Sequence, residues 1–424
     1  MVKGSIKMAD LLYRTKSVCP SCLKVIDARI VEIDREIYME KSCAEHGEYR
    51  ELIWQDSREN YLNWLHYGGL TDFQVENDNC PYNCGFCKNH RQAVCSAALM
   101  VTNRCNADCP VCFTADSQNG FYEPPLNELV ELLNYYRAAA GEGAPLEFCG
   151  GEPTVRDDLP DLAAAARNMG FDYIQLNTNG IRLAADFQYT LDLKKKGVTT
   201  VYLGFDGTSD GPYLYKYGRN LLADKLKAIA NCSQAGLAVV LTPCIIPGVN
   251  DQEIGNIIRL AKEWLPTVRG VFFQPISYFG NYPANKRPRI TIPAIIREIE
   301  RQSGGEIPSG SFLPAACEHP QCSFNGFFRL DAAGKFRAIT HFQKRAAGQN
   351  AAARVRRMLK SNWSPGAQKQ LTIGGMAFQD AWNLDLGRLR RCTIGIIGKD
   401  QRLIPLCAKY LTNDKGKKLY AGIS

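Results

Sequence analysis

From residue 97 to residue 277 the chain repeats one unit: a short apolar run, then a longer stretch whose apolar residues recur at helical spacing. "AALMVTN" (97–103) reads as a buried strand and "PLNELVELLNYYRAAA" (125–140) as the helix after it. The pattern returns in "PLEFCGG" with "DDLPDLAAAARNMG", "YIQLNTNG" with "LAADFQYTLDLKKKG", "TVYLGFDG" with "NLLADKLKAIANCSQAG", and "AVVLTPCII" with "NDQEIGNIIRLAKEWL". "GVFFQPIS" (270–277) adds a sixth strand. In the fifth unit Ile254, Ile257, Ile258, Ala261 and Leu265 share one helix face, which suits it to cover a sheet. Such alternation implies parallel strands with right-handed crossovers, hence an open or barrel-like α/β sheet. Chemistry in these sheets collects at the carboxyl ends of the strands.

The first strand end runs into "RCNADCPVCF" (104–113), which places Cys105, Cys109 and Cys112 at C-x-x-x-C-x-x-C spacing with Phe113 directly after. The next strand ends carry "GGEP" (Gly150, Gly151, Glu152, Pro153), "NTNG" with Asn177 and Asn179, and Asp206 in "GFDG". Three thiolates can hold three irons of a four-iron, four-sulfur cube and leave the fourth iron open to an outside ligand. Zinc completed by a distant ligand is the competing reading of the cysteines alone, and Asp206 is equally suited to capping a turn.

The combination of this loop with "GGEP" resembles the signature of the radical S-adenosylmethionine (SAM) superfamily. The resemblance covers roughly residues 96 to 280 and implies a partial (β/α)6 TIM-like barrel. It implies that SAM's amino and carboxylate groups fill the open iron site, and that one electron cleaves SAM to a 5′-deoxyadenosyl radical. It also implies that Phe113, Gly150, Gly151, Glu152 and Pro153 contact the cofactor, with Glu152 meeting the methionine ammonium. Asn177, Asn179 and Asp206 lie where the hydroxyl and carboxylate groups of SAM are usually met.

Seventeen cysteines in a chain that starts without a signal-peptide pattern read as a cytoplasmic protein whose clustered thiols bind metal. Cys19, Cys22 and Cys43 form a knuckle around a strand pair, with His46 the nearest fourth ligand for one mononuclear iron or zinc. Cys80, Cys84, Cys87 and Cys95 offer four thiolates in sixteen residues, enough for a closed auxiliary cluster, with His90 an unused alternative. Cys317, Cys322, Cys392 and Cys407 are expected to close a second one. The cofactor set is therefore SAM, three 4Fe-4S clusters and one mononuclear iron or zinc. Cys149, Cys232 and Cys244 lie in or beside apolar segments and read as small buried hydrophobes. The domains expected are a rubredoxin- or zinc-ribbon-like knuckle (1–78), an auxiliary-cluster segment (79–96), the radical SAM barrel (97–300) and a C-terminal auxiliary-cluster domain (301–424).

Across nearly the whole chain the order of motifs, from "CAEHG" through "CPYNCGFCKNH" and "CEHPQC" to "DAWNLDLGRLRRC" and "LIPLCA", is similar to the tetraether lipid synthase family. Some relatives of that family are described as pterin methyltransferases. The resemblance implies radical coupling of lipid-tail carbons, and the alternative is methyl transfer to a pterin such as 7,8-dihydro-6-hydroxymethylpterin. No separate cobalamin-binding segment is evident, so methyl transfer would draw on SAM itself.

The net charge of +8 fits an anionic substrate, a membrane surface or an acidic redox partner as well as nucleic acid. Lys344, Arg345, Arg354, Arg356, Arg357 and Lys360, interleaved with small apolar residues over 341–360, would suit phosphate headgroups or a solvated helix face. The expected partners are a lipid or other aliphatic substrate, a low-potential electron donor of ferredoxin or flavodoxin type, and a membrane surface contacted peripherally. A zinc-binding nucleic-acid protein is the remaining class, and no nucleic acid is expected because the knuckles lack a base-reading helix.

Overall fold

The computed structural model describes residues 10–67, 80–87, 89–115, 120–141, 143–283, 286–314, 318–341 and 369–420. Cys317 and the basic segment beyond His341 lie outside the described residues.

The chain opens with a four-stranded antiparallel meander, β1 (Asp10–Val18), β2 (Val25–Ile33), β3 (Glu36–Cys43) and β4 (Gly47–Trp54). The knuckle that spacing marks as a strand pair is thus the middle of a larger sheet. Its central hairpin turns on Asp34 and Arg35, both at positive φ, the two-residue turn whose twist matches the flanking strands. Helix α1 (Arg58–Tyr67) follows.

The repeated units fold as the alternation predicts. The order is β5 (Ser96–Thr102), α2 (Leu126–Ala140), β6 (Leu146–Gly150), α3 (Leu159–Asn168), β7 (Ile174–Thr178), α4 (Ile181–Ala185), α5 (Phe187–Lys195) and β8 (Thr200–Leu203). It continues through α6 (Gly211–Tyr217), α7 (Leu222–Ala235), β9 (Ala238–Leu241), β10 (Cys244–Ile245), α8 (Ile254–Glu263), β11 (Val268–Pro275) and α9 (Ile292–Gln302). The third unit differs from the single helix its pattern suggests. Asp186 takes an extended conformation, and its carboxylate caps α5 by accepting from the Tyr189 amide, so the helix restarts there.

Strands β5, β6, β7, β8, β9 and β11 lie side by side in that order, all parallel. The later chain adds β12 (Leu313–Pro314), β13 (Ser323–Leu330), β14 (Phe336–Ala338), β15 (Gln370–Met376), β16 (Ile394–Ile397) and β17 (Leu403–Pro405). β15 pairs parallel to β11 and β16 parallel to β5, so residues of the segment 301–424 extend the sheet at both edges.

In-register neighbours share a face, and the two faces of this sheet differ in chemistry. Leu146, Phe148, Ile174, Leu176, Val201 and Leu203 point to the helices and are completely buried in the main core. The opposite face carries Glu147, Gln175 and Thr200 in one row, with Asn177 and Tyr202 in the row above.

The meander is tied to the later chain through buried polar contacts. The Lys41 Nζ donates to Ser17 Oγ, Val18 O and Ala381 O at 2.9, 2.8 and 2.7 Å, and the Thr15 hydroxyl donates to Asp385 at 2.8 Å. Arg289 joins three regions, bonding Glu51 on β4 at 2.7 Å and both oxygens of Asp380 at 2.7 and 2.8 Å. No helix among the described residues is long and apolar enough to cross a membrane.

Candidate active site

The three-cysteine loop is fixed at both of its ends by backbone. Where it leaves β5, the Gly151 amide donates to Thr102 O at 2.9 Å and the Glu152 amide to Arg104 O at 2.8 Å. A Cβ on Gly150 would stand 2.1 Å from Thr102 O, and one on Gly151 2.4 Å from Arg104 O. The glycines of "GGEP" are therefore required by the approach of one strand end to the next. At its far end the loop is tied to the chain beyond β11, where Cys112 and Asn281 exchange both amide–carbonyl bonds at 2.9 Å. The loop thus spans the mouth of the sheet from β6 to β11.

Cys105, Cys109 and Cys112 line one pocket together with Gly150 and Gly151. Burial pushes the Cys105 thiol up and the Cys109 thiol up to about 12, with the neighbouring Cys112 charge adding to both. Such thiols become thiolates when a cation is placed among them. The donor set fits a four-iron cluster, which these three thiolates would hold with one iron left for an outside ligand.

The side chains expected to touch SAM have protein partners of their own. Glu152 is 1% exposed and accepts from the Thr154 hydroxyl and the Thr178 hydroxyl at 2.6 Å each, the Thr154 amide at 3.1 Å and the Asn179 amide at 2.6 Å. Its carboxylate therefore ties the end of β6 to the end of β7, a structural role that the expected ammonium contact did not include. Pro153 begins the single 3-10 turn that Glu152 caps. Asn179 donates to Asn106 of the cysteine loop at 2.7 Å and accepts the Ile181 amide at 3.0 Å. Asn177 sits one row inside the sheet, its amide 3.3 Å from Glu147. Asp206 is 1% exposed and holds the Lys216 ammonium at 2.9 and 3.0 Å and the Cys244 amide at 2.8 Å. It joins β8 to α6 and β10. A second lysine, Lys225, is buried close by over the Tyr217 ring at 4.8 Å, and burial lowers it to about 8.

The roof of the pocket comes from residues that no local pattern marks. Lys409, Tyr410, Lys418 and Tyr420 line it from the other side. A tight loop closed by Asn413, whose side chain accepts from Lys415 N and Lys417 N at 3.0 and 2.7 Å, brings the last of them back. Phe113 meets the Tyr410 ring edge-on at 5.1 Å between centroids.

The other thiols gather in three places. In the meander the ligand atoms of Cys19, Cys22, Cys43 and His46 all lie within 4.8 Å of one another, a set suited to a single tetrahedral ion. Burial pushes the Cys19 thiol up, but the Cys22 and Ser21 amides outweigh it and the net direction is down. Cys80 and Cys84 are hydrogen-bonded to each other and Cys87 lies within electrostatic reach. Cys95 is buried at the start of β5, where its amide donates to Thr393 O at 2.8 Å. His90 packs its imidazole on Cys392 O at 2.5 Å. Cys322, Cys392 and Cys407 are mutual electrostatic neighbours, and the Arg388 guanidinium donates to Cys322 Sγ at 3.0 Å. Their expected fourth member, Cys317, is outside the described residues.

Residues 99–261 match the Radical SAM superfamily model, and residues 11–55 match the HMPTM N-terminal zinc ribbon domain. The chain is 35% identical to the 7,8-dihydro-6-hydroxymethylpterin dimethyltransferase of Methanocaldococcus jannaschii, across 93% of this chain and 92% of that one. It is 32% identical to the GTP 3′,8-cyclase of Moorella thermoacetica over 42% of this chain and 55% of the cyclase. Among solved structures, that of Streptococcus suis SuiB bound to the precursor peptide SuiA aligns with a TM-score of 0.42 at 12% identity, covering 70% of this chain and 69% of SuiB.

Proposed function

This chain belongs to the radical SAM superfamily, in one family with the 7,8-dihydro-6-hydroxymethylpterin dimethyltransferase of Methanocaldococcus jannaschii, and from that premise we propose that it methylates a pterin-like heterocycle. The observation that carries the reading is the placement of Cys105, Cys109 and Cys112 in one pocket with Gly150 and Gly151, at the mouth of a sheet whose inner face is polar. The identity to the pterin enzyme, which runs through the N- and C-terminal segments as well as the sheet, supports the substrate class.

The coupling of lipid tails, expected from the order of motifs, finds no support. An acyl chain calls for a continuous apolar channel, whereas the inner face presents Glu147, Gln175 and Asn177.

When bound, a four-iron cluster with SAM on its open iron supplies reductive cleavage to a 5′-deoxyadenosyl radical. The chain's own residues do the rest. Cys105, Cys109 and Cys112 would hold the irons, and the Gly150–Glu152 backbone sets the loop against the strand ends. Lys409, Tyr410, Lys418 and Tyr420 line the pocket on the side opposite the strand ends. Cys80, Cys84, Cys87 and Cys95 would hold one auxiliary cluster and Cys322, Cys392 and Cys407, with Cys317, another. The meander would hold one iron or zinc, and electrons would come from a low-potential donor of ferredoxin or flavodoxin type.

The test is anaerobic turnover of the reconstituted enzyme with SAM, a low-potential reductant and 7,8-dihydro-6-hydroxymethylpterin, with total lipid extract in a parallel reaction. A pterin heavier by one or more methyl groups is the expected product. Unchanged pterin beside cross-linked lipid would replace this reading with the coupling one.

A further inference from the structure

The inner face of the sheet holds a carboxylate that the chemistry described so far does not use. Glu147 lies on β6 in register with Ala98 on β5 and Gln175 on β7, and it is only half-buried although it sits at mid-strand. Cys149, Asn177, Tyr202 and Phe272 on the same face are half-buried too, whereas residues on the helix-covered face are sealed. Gln175 and Thr200 in the row of Glu147 are buried, so the partial access of Glu147, Cys149 and Asn177 marks a limited hollow around these side chains rather than an open face.

Glu147 is oriented within the hollow without being neutralised. The Ser96 hydroxyl donates to one oxygen at 2.6 Å, and the Gln175 and Asn177 amides donate to the other at 3.1 and 3.3 Å. The Gln175 amide nitrogen also donates to Asn177 Oδ1 at 2.7 Å, which locks the two amides together. No Lys, Arg or His is ion-paired with Glu147 among the described residues. A carboxylate offers about four acceptor positions, so capacity remains after three donors. Tyr202 and Phe272, with ring centroids 6.3 Å apart, form a small apolar cluster with Tyr173 and Val240 on the same face. An oriented acceptor beside aromatic rings, in a polar hollow, suits a flat heterocycle that donates from one edge.

We infer that Glu147, positioned by Gln175 and Asn177, binds the amino-amide edge of a bicyclic pterin-class heterocycle lodged inside the sheet. The inference rests on the pterin reading above and names the residue that recognises the substrate. That edge carries an exocyclic amine beside a ring N–H, and the amine can donate to the one acceptor position left on Glu147, on the oxygen that Ser96 also meets. The adjacent carbonyl suits the second amide N–H of Asn177, since both of those on Gln175 are taken by Glu147 and Asn177. An adenine edge would instead turn a ring-nitrogen lone pair toward the carboxylate, and a phosphate would bring like charge. Gly150 stands three residues further along β6, roughly 10 Å at the rise of an extended strand. A heterocycle anchored at Glu147 therefore presents its far end to the strand ends, where the three cysteines line the pocket.

The test is anaerobic fluorescence titration of the reconstituted full chain with 7,8-dihydro-6-hydroxymethylpterin and with its 2-oxo analogue, which lacks the exocyclic amine. Wild type is expected to bind the amino compound about 10–100-fold more tightly, the worth of one charge-assisted hydrogen bond. In Glu147→Gln that preference collapses, and Glu147→Asp recovers part of it. Iron content equal to wild type is the check that each variant is folded. Equal binding of the two compounds by wild type, or wild-type discrimination by a folded Glu147→Gln, overturns the assignment while pterin methylation stands. Failure of wild type to bind or methylate the pterin at all overturns the functional reading, and this assignment with it.

Discussion

The meander and the mouth of the central sheet both gather cysteines, but they do so by opposite routes. Cys19, Cys22, Cys43 and His46 lie within one stretch of twenty-eight residues, and two hairpins bring their ligand atoms within 4.8 Å of one another. Cys105, Cys109 and Cys112 are closer still in sequence, yet they do not converge on a single-ion site; they line a pocket. Their roof, Tyr410 and Lys418, lies some three hundred residues away. A single ion wants its ligands around one point, whereas a cube needs them spread around its faces and leaves room for a further ligand. The first arrangement is a local structural device. The second is a site assembled by the whole fold.

The largest effect should come from breaking the mouth and leaving the meander alone. Replacing Cys105, Cys109 and Cys112 together with Ala should reduce 5′-deoxyadenosine formation to background, while the meander keeps its metal by elemental analysis. The reciprocal variant, Cys19→Ser with Cys22→Ser, should lose that one metal and make residues 10–54 sensitive to protease, because metal binding and local folding are coupled. It should retain 5′-deoxyadenosine formation within about tenfold, roughly 1.4 kcal/mol on the barrier. A triple variant that still cleaves SAM, or a meander variant that cannot, would erase the distinction between the two regions.

The regions are independent in their ligands but joined by charge. Asp380 is completely buried, and its partner Arg289 reaches Glu51 on the meander. Removing the negative partner leaves a buried guanidinium undercompensated, which costs about 3–5 kcal/mol. Asp380→Ala should therefore lower the unfolding free energy by that amount, measured by urea denaturation of reconstituted protein. It should also loosen the meander before the sheet. A loss below about 1 kcal/mol would mean that the ion network is dispensable to the docking of the two parts.

How much of this could be read from residues alone follows from the range of the interactions. The strand–helix alternation, the parallel order and the cysteine loop are set by periodicity and spacing within thirty or so residues. The meander's ligand set is legible for the same reason, since a turn at Asp34–Arg35 is all that separates its halves. The placement of β15 beside β11 and of β16 beside β5 is different. "LTIGGM" and "TIGII" are ordinary apolar runs, and only the register of Val271 with Ile373 and of Ala98 with Ile396 shows which edges they complete. Lys409 and Lys418 look like surface lysines in sequence, yet they are about 5 and 6% exposed. Glu147, a lone acidic residue in an apolar strand, carries no motif; its meaning comes from Gln175 and Asn177 on the next strand.

The smallest expected effect concerns how the two regions treat their carboxylates. On the meander, Glu40 is held between Arg29 and Arg50 at 2.8 Å each, whereas Glu147 inside the sheet has only neutral donors. Burial pushes the Glu147 carboxyl up from 4.5, and the hydrogen bonds from Ser96 and Asn177 bring it only part of the way back. The folded state therefore binds this proton more tightly than the unfolded chain does. Stability from that proton is complete below the ordinary carboxylate range and is lost as pH rises through the folded-state value. The urea midpoint of wild type should accordingly fall as pH is raised from about 4.5, and Glu147→Gln, which cannot ionise, should show a flatter profile over the same window. Parallel profiles would mean that the hollow is wet enough to solvate the charge. A steeper profile in the variant would point to a different titrating group and remove the contrast with the arginine-paired carboxylate of the meander.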